Sequence, residues 1–338
     1  MDKINVGLIG YGYWGPNLAR NISEIPEFNL KYISDLSESK QNIIKTKYPH
    51  VTVTRDYNQI LNDKDIKAVV IATPISTHFP IIMDCLKHNK DILVEKPLSV
   101  NRKQSAKIKE LVLKNKNILL VSHTFLYSPS VMKMKEIIDS KQLGDIFCID
   151  SSRVNLGLLQ PDVDVVWDLG PHDLSVILYW MQKMPAAVSC IGQAFIQPNI
   201  QEVAYITLYW SNKTIAHIHL SWLSPAKLRR MVVIGNKKMV VYDDIAPDEK
   251  IKIYDKGVGI VKEPESFGEF QLIYRSGDIS SPKIESAEPL KLECLDFLNS
   301  IKTRKQPKSD VYFGEKIVKL LELADLSMKH KGKIIPVQ

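Results

Sequence analysis

Cysteine is scarce: the chain has four in 338 residues. Cys85, Cys148, Cys190 and Cys294 lie far apart and form no C-x-x-C pair. Neither a disulfide framework nor a metal-ligand cluster is indicated, so no metal is expected and a reducing, cytoplasmic setting is. Long apolar runs are also missing. None approaches the ~18 residues that a membrane-spanning helix needs, so no membrane partner is expected. The opening stretch MDKINVGLIGYGYWG is apolar only briefly before glycines interrupt it. It reads as a first strand and not as a secretory signal. Arginine is rare too, 8 against 37 lysines. The net charge is +7 and the pI about 9.0, but bases and acids are interleaved, as in KIKELVLKNKN (107–117). Without clustered arginine or aromatic platforms, no nucleic-acid partner is expected. A diffuse lysine surface suits small anionic ligands instead. Hydrophobic residues make up 45% of the chain, enough to bury a core and to exclude whole-chain disorder. The length favours two domains.

The first 122 residues alternate strand and helix. Asn5 to Ile9, Asn29 to Ser34, Lys67 to Ala72, Asp91 to Val94 and Ile118 to Val121 are short apolar runs. Helical patterns at about 15–25, 38–47, 78–89 and 99–115 separate them. Continuous apolar strands between helices indicate a parallel sheet buried on both faces, wound by right-handed crossovers. Beyond residue 122 the texture changes. A helix over 130–140 and a strand over 145–155 lead to a helix starting near Asp168. Strand-like runs follow at 187–196, 202–210, 214–222, 229–235 and 238–243. Gly235-Asn236 between β-rich arms marks a hairpin. Helices over 287–302 and 313–329 close the chain. The expected class is α/β: an N-terminal Rossmann domain over 1–122, and a substrate-binding and assembly domain over 123–338 with a large, open, mostly antiparallel sheet.

Three constellations carry chemistry. Gly10-Tyr11-Gly12-Tyr13-Trp14-Gly15 follows an apolar strand and opens a helix, in a βαβ context. Gly10 serves the tight turn, Gly12 lets backbone approach a pyrophosphate, and Gly15 lets helix and strand pack closely. Asp35, about 20 residues after the last glycine, ends the second strand, where a carboxylate accepts from a ribose 2′-hydroxyl and repels a 2′-phosphate. Leu36 and Ser37 follow with no adjacent arginine, so NAD is expected over NADP. Glu95-Lys96-Pro97 comes directly after the strand DILV, at the sheet edge where ligands bind. A lysine there can stabilise a developing alkoxide. In Trp167-Asp168-Leu169-Gly170-Pro171-His172, Asp168 and His172 share one helix face. Asp168 can cap that helix or orient His172, and His172 suits general-base work near neutral pH.

Taken together and in this order, the dinucleotide fingerprint, E-K-P and D-x-x-x-H resemble the Gfo/Idh/MocA oxidoreductases over essentially the whole chain. That resemblance implies a catalytic role for Lys96 and an acid/base role for Asp168 and His172. It also implies cofactor contacts from the Gly10–Gly15 segment, Asp35, Thr73, Pro74, His78, Glu95, Lys96 and Trp167. A homodimer or homotetramer through the open sheet is implied as well.

A narrower likeness lies in Ser122–Tyr127, Ser152–Gly157 and Asp162–Leu169. These segments are similar to family members that act on nucleotide-linked sugars, including UDP-N-acetylglucosamine 3-dehydrogenases and related uronic-acid enzymes. It implies oxidation of the sugar C3 hydroxyl to a ketone, in amino-sugar or cell-surface polysaccharide synthesis. Tyr127, Arg153, Asn155, Lys96, Asp168 and His172 would then face substrate. The alternatives are a 3-ketoreductase using NAD(P)H, a dehydrogenase for a free polyol such as an inositol, and a non-catalytic NAD-sensing regulator. His217 and His219 alternate on one strand and share a face. With no third ligand evident, an oligomer interface explains them better than a metal.

Overall fold

The computed structural model describes residues 3–260 and 272–337. The chain divides into two compact units, Met1–Tyr127 with Ala287–Lys319, and Ser128–Ser286 with Leu320–Gln338.

The first unit begins with β1 (Ile4–Ile9), α1 (Gly15–Glu24), β2 (Phe28–Ser34), α2 (Glu38–Lys47), β3 (Thr52–Thr54) and α3 (Asn58–Asn62). It continues with β4 (Ile66–Ile71), α4 (Ile75–Lys87), β5 (Asp91–Glu95), α5 (Arg102–Asn115), β6 (Leu119–Ser122) and a 3-10 turn over Thr124–Tyr127. The sheet order is β3-β2-β1-β4-β5-β6, parallel throughout. Val69, Val70, Ile92, Leu93 and Val94 are fully buried, as a sheet covered on both faces requires. Strand order reverses between β1 and β4, so a crevice opens at their carboxyl ends. Local chemistry sets the helix ends. The Asn101 side chain accepts from the Gln104 N–H at 2.9 Å and so starts α5, and Lys116 in the left-handed region ends it.

The second unit runs α6 (Pro129–Asp139), β7 (Ile146–Leu156), α7 (Val165–Met181), β8 (Ala187–Gln193), β9 (Val203–Tyr209) and β10 (Ile215–Ser221). Then come β11 (Leu223–Gly235), β12 (Met239–Asp243), β13 (Ile251–Ile260) and β14 (Leu272–Ser280). Chain order then returns to the first unit with α8 (Pro289–Thr303), passes from it into the second along α9 (Val311–Lys329) and ends at β15 (Ile335–Pro336) in the second. Among the described residues the sheet has nine strands, ordered β14-β13-β12-β11-β7-β10-β9-β8-β15. Only β7 and β10 pair parallel; every other neighbour is antiparallel. Ala216, Ile218 and Leu220 on β10 are buried under α7. His217 and His219 alternate with them on the other face, as the strand period predicts. Tyr205 of β9 stacks between them, its ring centroid 5.9 Å from His217 and 4.5 Å from His219.

The expected mixed α/β architecture holds, with two differences in extent. The first unit reaches Tyr127 and reclaims Ala287–Lys319, whereas the sequence texture assigns both closing helices to the second domain. α8 lays Leu290, Cys294, Phe297 and Leu298 into the first unit's core, a tertiary choice that chain order does not reveal. The sheet also gains β13 and β14 beyond the expected hairpin of β11 and β12. Among the described residues no helix is long and apolar enough to cross a membrane.

Candidate active site

In the first unit, the glycine loop sits at the carboxyl end of β1. Gly10 has φ +95°, and its N–H donates to the Ser34 carbonyl at 2.8 Å. A Cβ there would stand 2.5 Å from the Ala72 carbonyl oxygen, and one on Gly15 would stand 2.5 Å from the Gly10 oxygen. The turn and the close helix approach therefore both exclude side chains. A Cβ on Gly12 would meet nothing within 4 Å, so its backbone faces open space. α1 begins just beyond, with Trp14 in the N-cap position supplying no side-chain acceptor. Pro16 in that turn has no N–H, and the Asn17 and Leu18 N–H groups donate to the Trp14 carbonyl at 3.0 and 3.1 Å, so it is the glycine loop before the helix that faces the space an anion would take. A cleft of about 440 Å³ runs from Gly10 and Gly12 past Asp35 and Leu36 to Thr73, Pro74 and Ile81. Asp35 is already oriented: Oδ2 accepts from the Tyr11 N–H at 2.7 Å and Oδ1 from the Ser37 N–H at 2.8 Å. Space beside Gly12, a glycine turn leading into a helix and a fixed carboxylate fit a dinucleotide.

Not every residue of the fingerprint faces that cleft. Tyr11 is buried, whereas Tyr13 and Trp14 are exposed and meet edge to face at 5.8 Å. Arg55, Tyr57 and Thr77 line the cleft and escape sequence reading. The β-branched run VTVT (51–54) was the available signal for β3, which delivers Arg55 there.

His78 is buried beneath the loops after β4 and β5. Its ring nitrogens lie 2.8 Å from the Pro97 carbonyl and 2.9 Å from the Thr73 carbonyl, and burial lowers its pKa. The neutral ring has one N–H and donates to one of the two carbonyls, while it packs between Thr73 and the segment that carries Lys96. Its place is behind the expected cofactor contacts. Lys96 is half-buried at the end of β5, and the Lys96–Pro97 bond is cis. Glu95 points inward, its carboxyl accepting from the Lys96 N–H and the Ser122 hydroxyl, each at 3.3 Å. Tyr127, expected to face substrate, is 3% exposed, and its hydroxyl donates to Asp296 at 2.8 Å. The structure gives it a packing role.

In the second unit, the cap of α7 is Asp164 and not Asp168. Asp164 accepts from the Val166 and Trp167 N–H groups at 2.9 and 3.0 Å. Asp168 sits one turn in, where its Oδ2 accepts from the Trp222 indole at 3.1 Å. His172 follows one turn later on the same face, half-buried. Pro171 is therefore inside the helix and not in its first turn, and the Trp167 carbonyl loses its usual donor there. Trp167, expected against the cofactor, donates its indole N–H to Asp325 at 2.7 Å. Arg153 on β7 is buried in an ion pair with Asp173, which also accepts from the Ser151 hydroxyl at 2.7 Å. The pair ties β7 to α7 beside His172, so Arg153 braces the helix. Asn155 remains half-buried near the end of β7.

Residues 4–123 match the family described as "Oxidoreductase family, NAD-binding Rossmann fold", and residues 131–241 match the GFO/IDH/MocA C-terminal domain. The chain belongs to the Gfo/Idh/MocA oxidoreductases. It binds NAD through the first of these domains. An uncharacterized oxidoreductase of Escherichia coli is 28% identical over 267 residues, 74% of either chain. A scyllo-inositol 2-dehydrogenase (NADP(+)) of Bacillus subtilis is 25% identical over 62% of this chain and 60% of its own length. The solved UDP-N-acetylglucosamine 3-dehydrogenase of Acidithiobacillus ferrooxidans superposes with a TM-score of 0.79, covering 98% of this chain and 99% of that one at 19% identity. That likeness is one of fold.

In a dinucleotide-binding domain a carboxylate at the end of the second strand, where this Gfo/Idh/MocA protein has Asp35, accepts from a ribose 2′-hydroxyl. Asp35→Ala is expected to weaken NAD binding by roughly 1.5–3 kcal/mol, the worth of a hydrogen bond to a charged group. NADP should lose far less, because the repelling charge is gone while Arg55 still lines the cleft. Fluorescence titration with both dinucleotides checks this, and unchanged selectivity would refute the role.

Proposed function

We propose that the protein oxidises the C3 hydroxyl of a nucleotide-linked sugar, of the UDP-N-acetylglucosamine or uronic-acid type, to the 3-keto sugar. The observation that carries the chemistry is the complete polar set. Lys96 stands at the carboxyl edge of the strand beside the dinucleotide cleft, and Asp168 and His172 share one face of α7. In the reaction, His172 takes the hydroxyl proton. Lys96 hydrogen-bonds the same oxygen and stabilises its developing charge. Asp168, held by Trp222, orients His172 or a neighbouring sugar hydroxyl. Bound NAD supplies the hydride acceptor. The presence of all three groups argues against a non-catalytic sensor.

The sugar-nucleotide assignment is supported by the segments Ser152–Gly157 and Asp162–Leu169 and by a solved sugar-nucleotide dehydrogenase whose fold matches nearly end to end. A free polyol is the second reading, favoured by the inositol dehydrogenase relative. Mass spectrometry of products from NAD and a panel of UDP-sugars, dTDP-sugars and inositols decides between them. A 3-keto sugar nucleotide is expected, and turnover of inositols alone would overturn the assignment.

We further assign the open sheet face to contact between copies of the chain, in the cytoplasm. Ile191, Tyr205, His219 and Ser152 are consecutive partners across β8, β9, β10 and β7. Ile191 is 56% exposed, an apolar residue placed where a sheet-to-sheet contact would cover it.

A further inference from the structure

Beneath Lys96 lies a second carboxyl group for which the hydride-transfer scheme has no use. Glu293 of α8 is 0% exposed, and its Oε2 lies 3.1 Å from both the Ser122 and Thr124 hydroxyl oxygens. The same Ser122 oxygen lies 3.3 Å from Glu95 Oε1. Glu293 Oε1 is buried with no hydrogen-bond partner, and so are both ring nitrogens of the adjacent His123.

Hydrogen counting then constrains the charge. A hydroxyl has one proton to donate. Ser122 can therefore donate to one carboxylate but not to both, and its second short contact must be one in which it accepts. With both glutamates ionised, two buried anions would face one oxygen with no hydrogen between on one side. Ser122 also lies 3.3 Å from the Thr124 hydroxyl, whose own proton goes to Glu293. With one proton on the pair, each contact between Ser122 and a glutamate has a donor: the protonated carboxyl donates to Ser122, and Ser122 donates to the other.

We propose that Glu95 and Glu293 share one proton through Ser122, so that a single negative charge lies behind the Lys96 backbone and Glu293 acts as a positioning residue for Lys96. The surrounding charges agree. Lys96 is the cation that bears on Glu95; Lys308 faces Asp296 and the Tyr127 ring, Arg20 pairs with Glu288, and Tyr127, Cys294 and His123 add no positive charge. Burial drives His123 down to about 3, so it is neutral. Burial pushes Glu95 up from 4.5 to about 7, and Glu293 is driven up by burial and then by Glu95. Raised acids stabilise the fold most below their ordinary pKa, and that stability is lost as pH rises through the folded value.

The test needs no substrate, so it stands apart from the reading of function. Infrared difference spectra of the full chain near neutral pH, wild type minus Glu293→Gln and wild type minus Glu95→Gln, should each show one lost protonated-carboxyl band. Far- and near-ultraviolet circular dichroism establishes that each variant is folded. Denaturant unfolding at about pH 5 and about pH 8 supplies the second readout. The wild-type folding constant should fall on the order of 100-fold more than that of Glu293→Gln. A wild type without the protonated band, or a band and pH slope that persist in the Gln variants, would overturn the shared proton. Should one variant fail to fold, the other carries the same two outcomes.

Discussion

Replacing Lys96 with alanine is expected to lower turnover by roughly 10²–10⁴-fold, the usual worth of one acid/base or oxyanion-stabilising group. His172→Ala is expected to fall in the same range, because it removes the proposed proton acceptor. Neither change touches the dinucleotide cleft between Gly10 and Ile81, so NAD affinity should stay within a few-fold in both. The pairing of a large loss in kcat with retained NAD binding is the signature of these roles. A merely structural lysine or histidine would instead lower stability with a smaller effect on kcat. The double variant should lose less than the product of the two single losses, because both groups act on one oxygen and residues that act as a unit are not additive. Steady-state kinetics with parallel NAD titrations check all three variants. Near-normal turnover in both single variants would end the assignment.

Asp173→Ala is expected to be the most damaging single change to stability, by about 3–5 kcal/mol. The Arg153 and Asp173 side chains are only 7% and 2% exposed. Removing the carboxylate takes from the buried guanidinium the anion it pairs with, and from the Ser151 hydroxyl its acceptor. A double change to Arg153→Met with Asp173→Leu should recover much of the loss, since matched apolar replacements of buried pairs are often near neutral. Because Asp173 adjoins His172, the double variant should refold yet turn over more slowly, its α7 no longer braced against β7. Urea unfolding of the single and double variants measures the first effect. A single variant as stable as wild type would show that water reaches the pair.

Much of this was legible in the sequence, for local reasons. Apolar runs cut off by glycine, a fingerprint opening a helix and a D-x-x-x-H spacing are contained within about 30 residues each. What was missed depends on distant partners. The start of α7 shifted because Asp164 and Asp168 are equally good caps by type, and only the fold shows which one meets the free amides. Arg153 read as a ligand because its partner lies 20 residues away on another element. β13 escaped because its antiparallel partner follows only after residues 261–271, with no tight-turn signal between the arms. Glu293 left a trace that could have been used. On α8 it falls on the apolar stripe of Leu290, Cys294, Phe297 and Leu298, where a carboxylate is out of place unless buried for a purpose.

In the proposed reaction a sugar-ring hydrogen leaves as hydride for NAD while His172 holds the hydroxyl proton. The most direct measurement is a single turnover with UDP-N-acetylglucosamine deuterated at C3, followed by mass spectrometry of the dinucleotide and the sugar. The account predicts deuterium in the reduced nicotinamide and a 3-keto sugar without it. Reduced dinucleotide lacking the label, or label retained in the sugar, would contradict it.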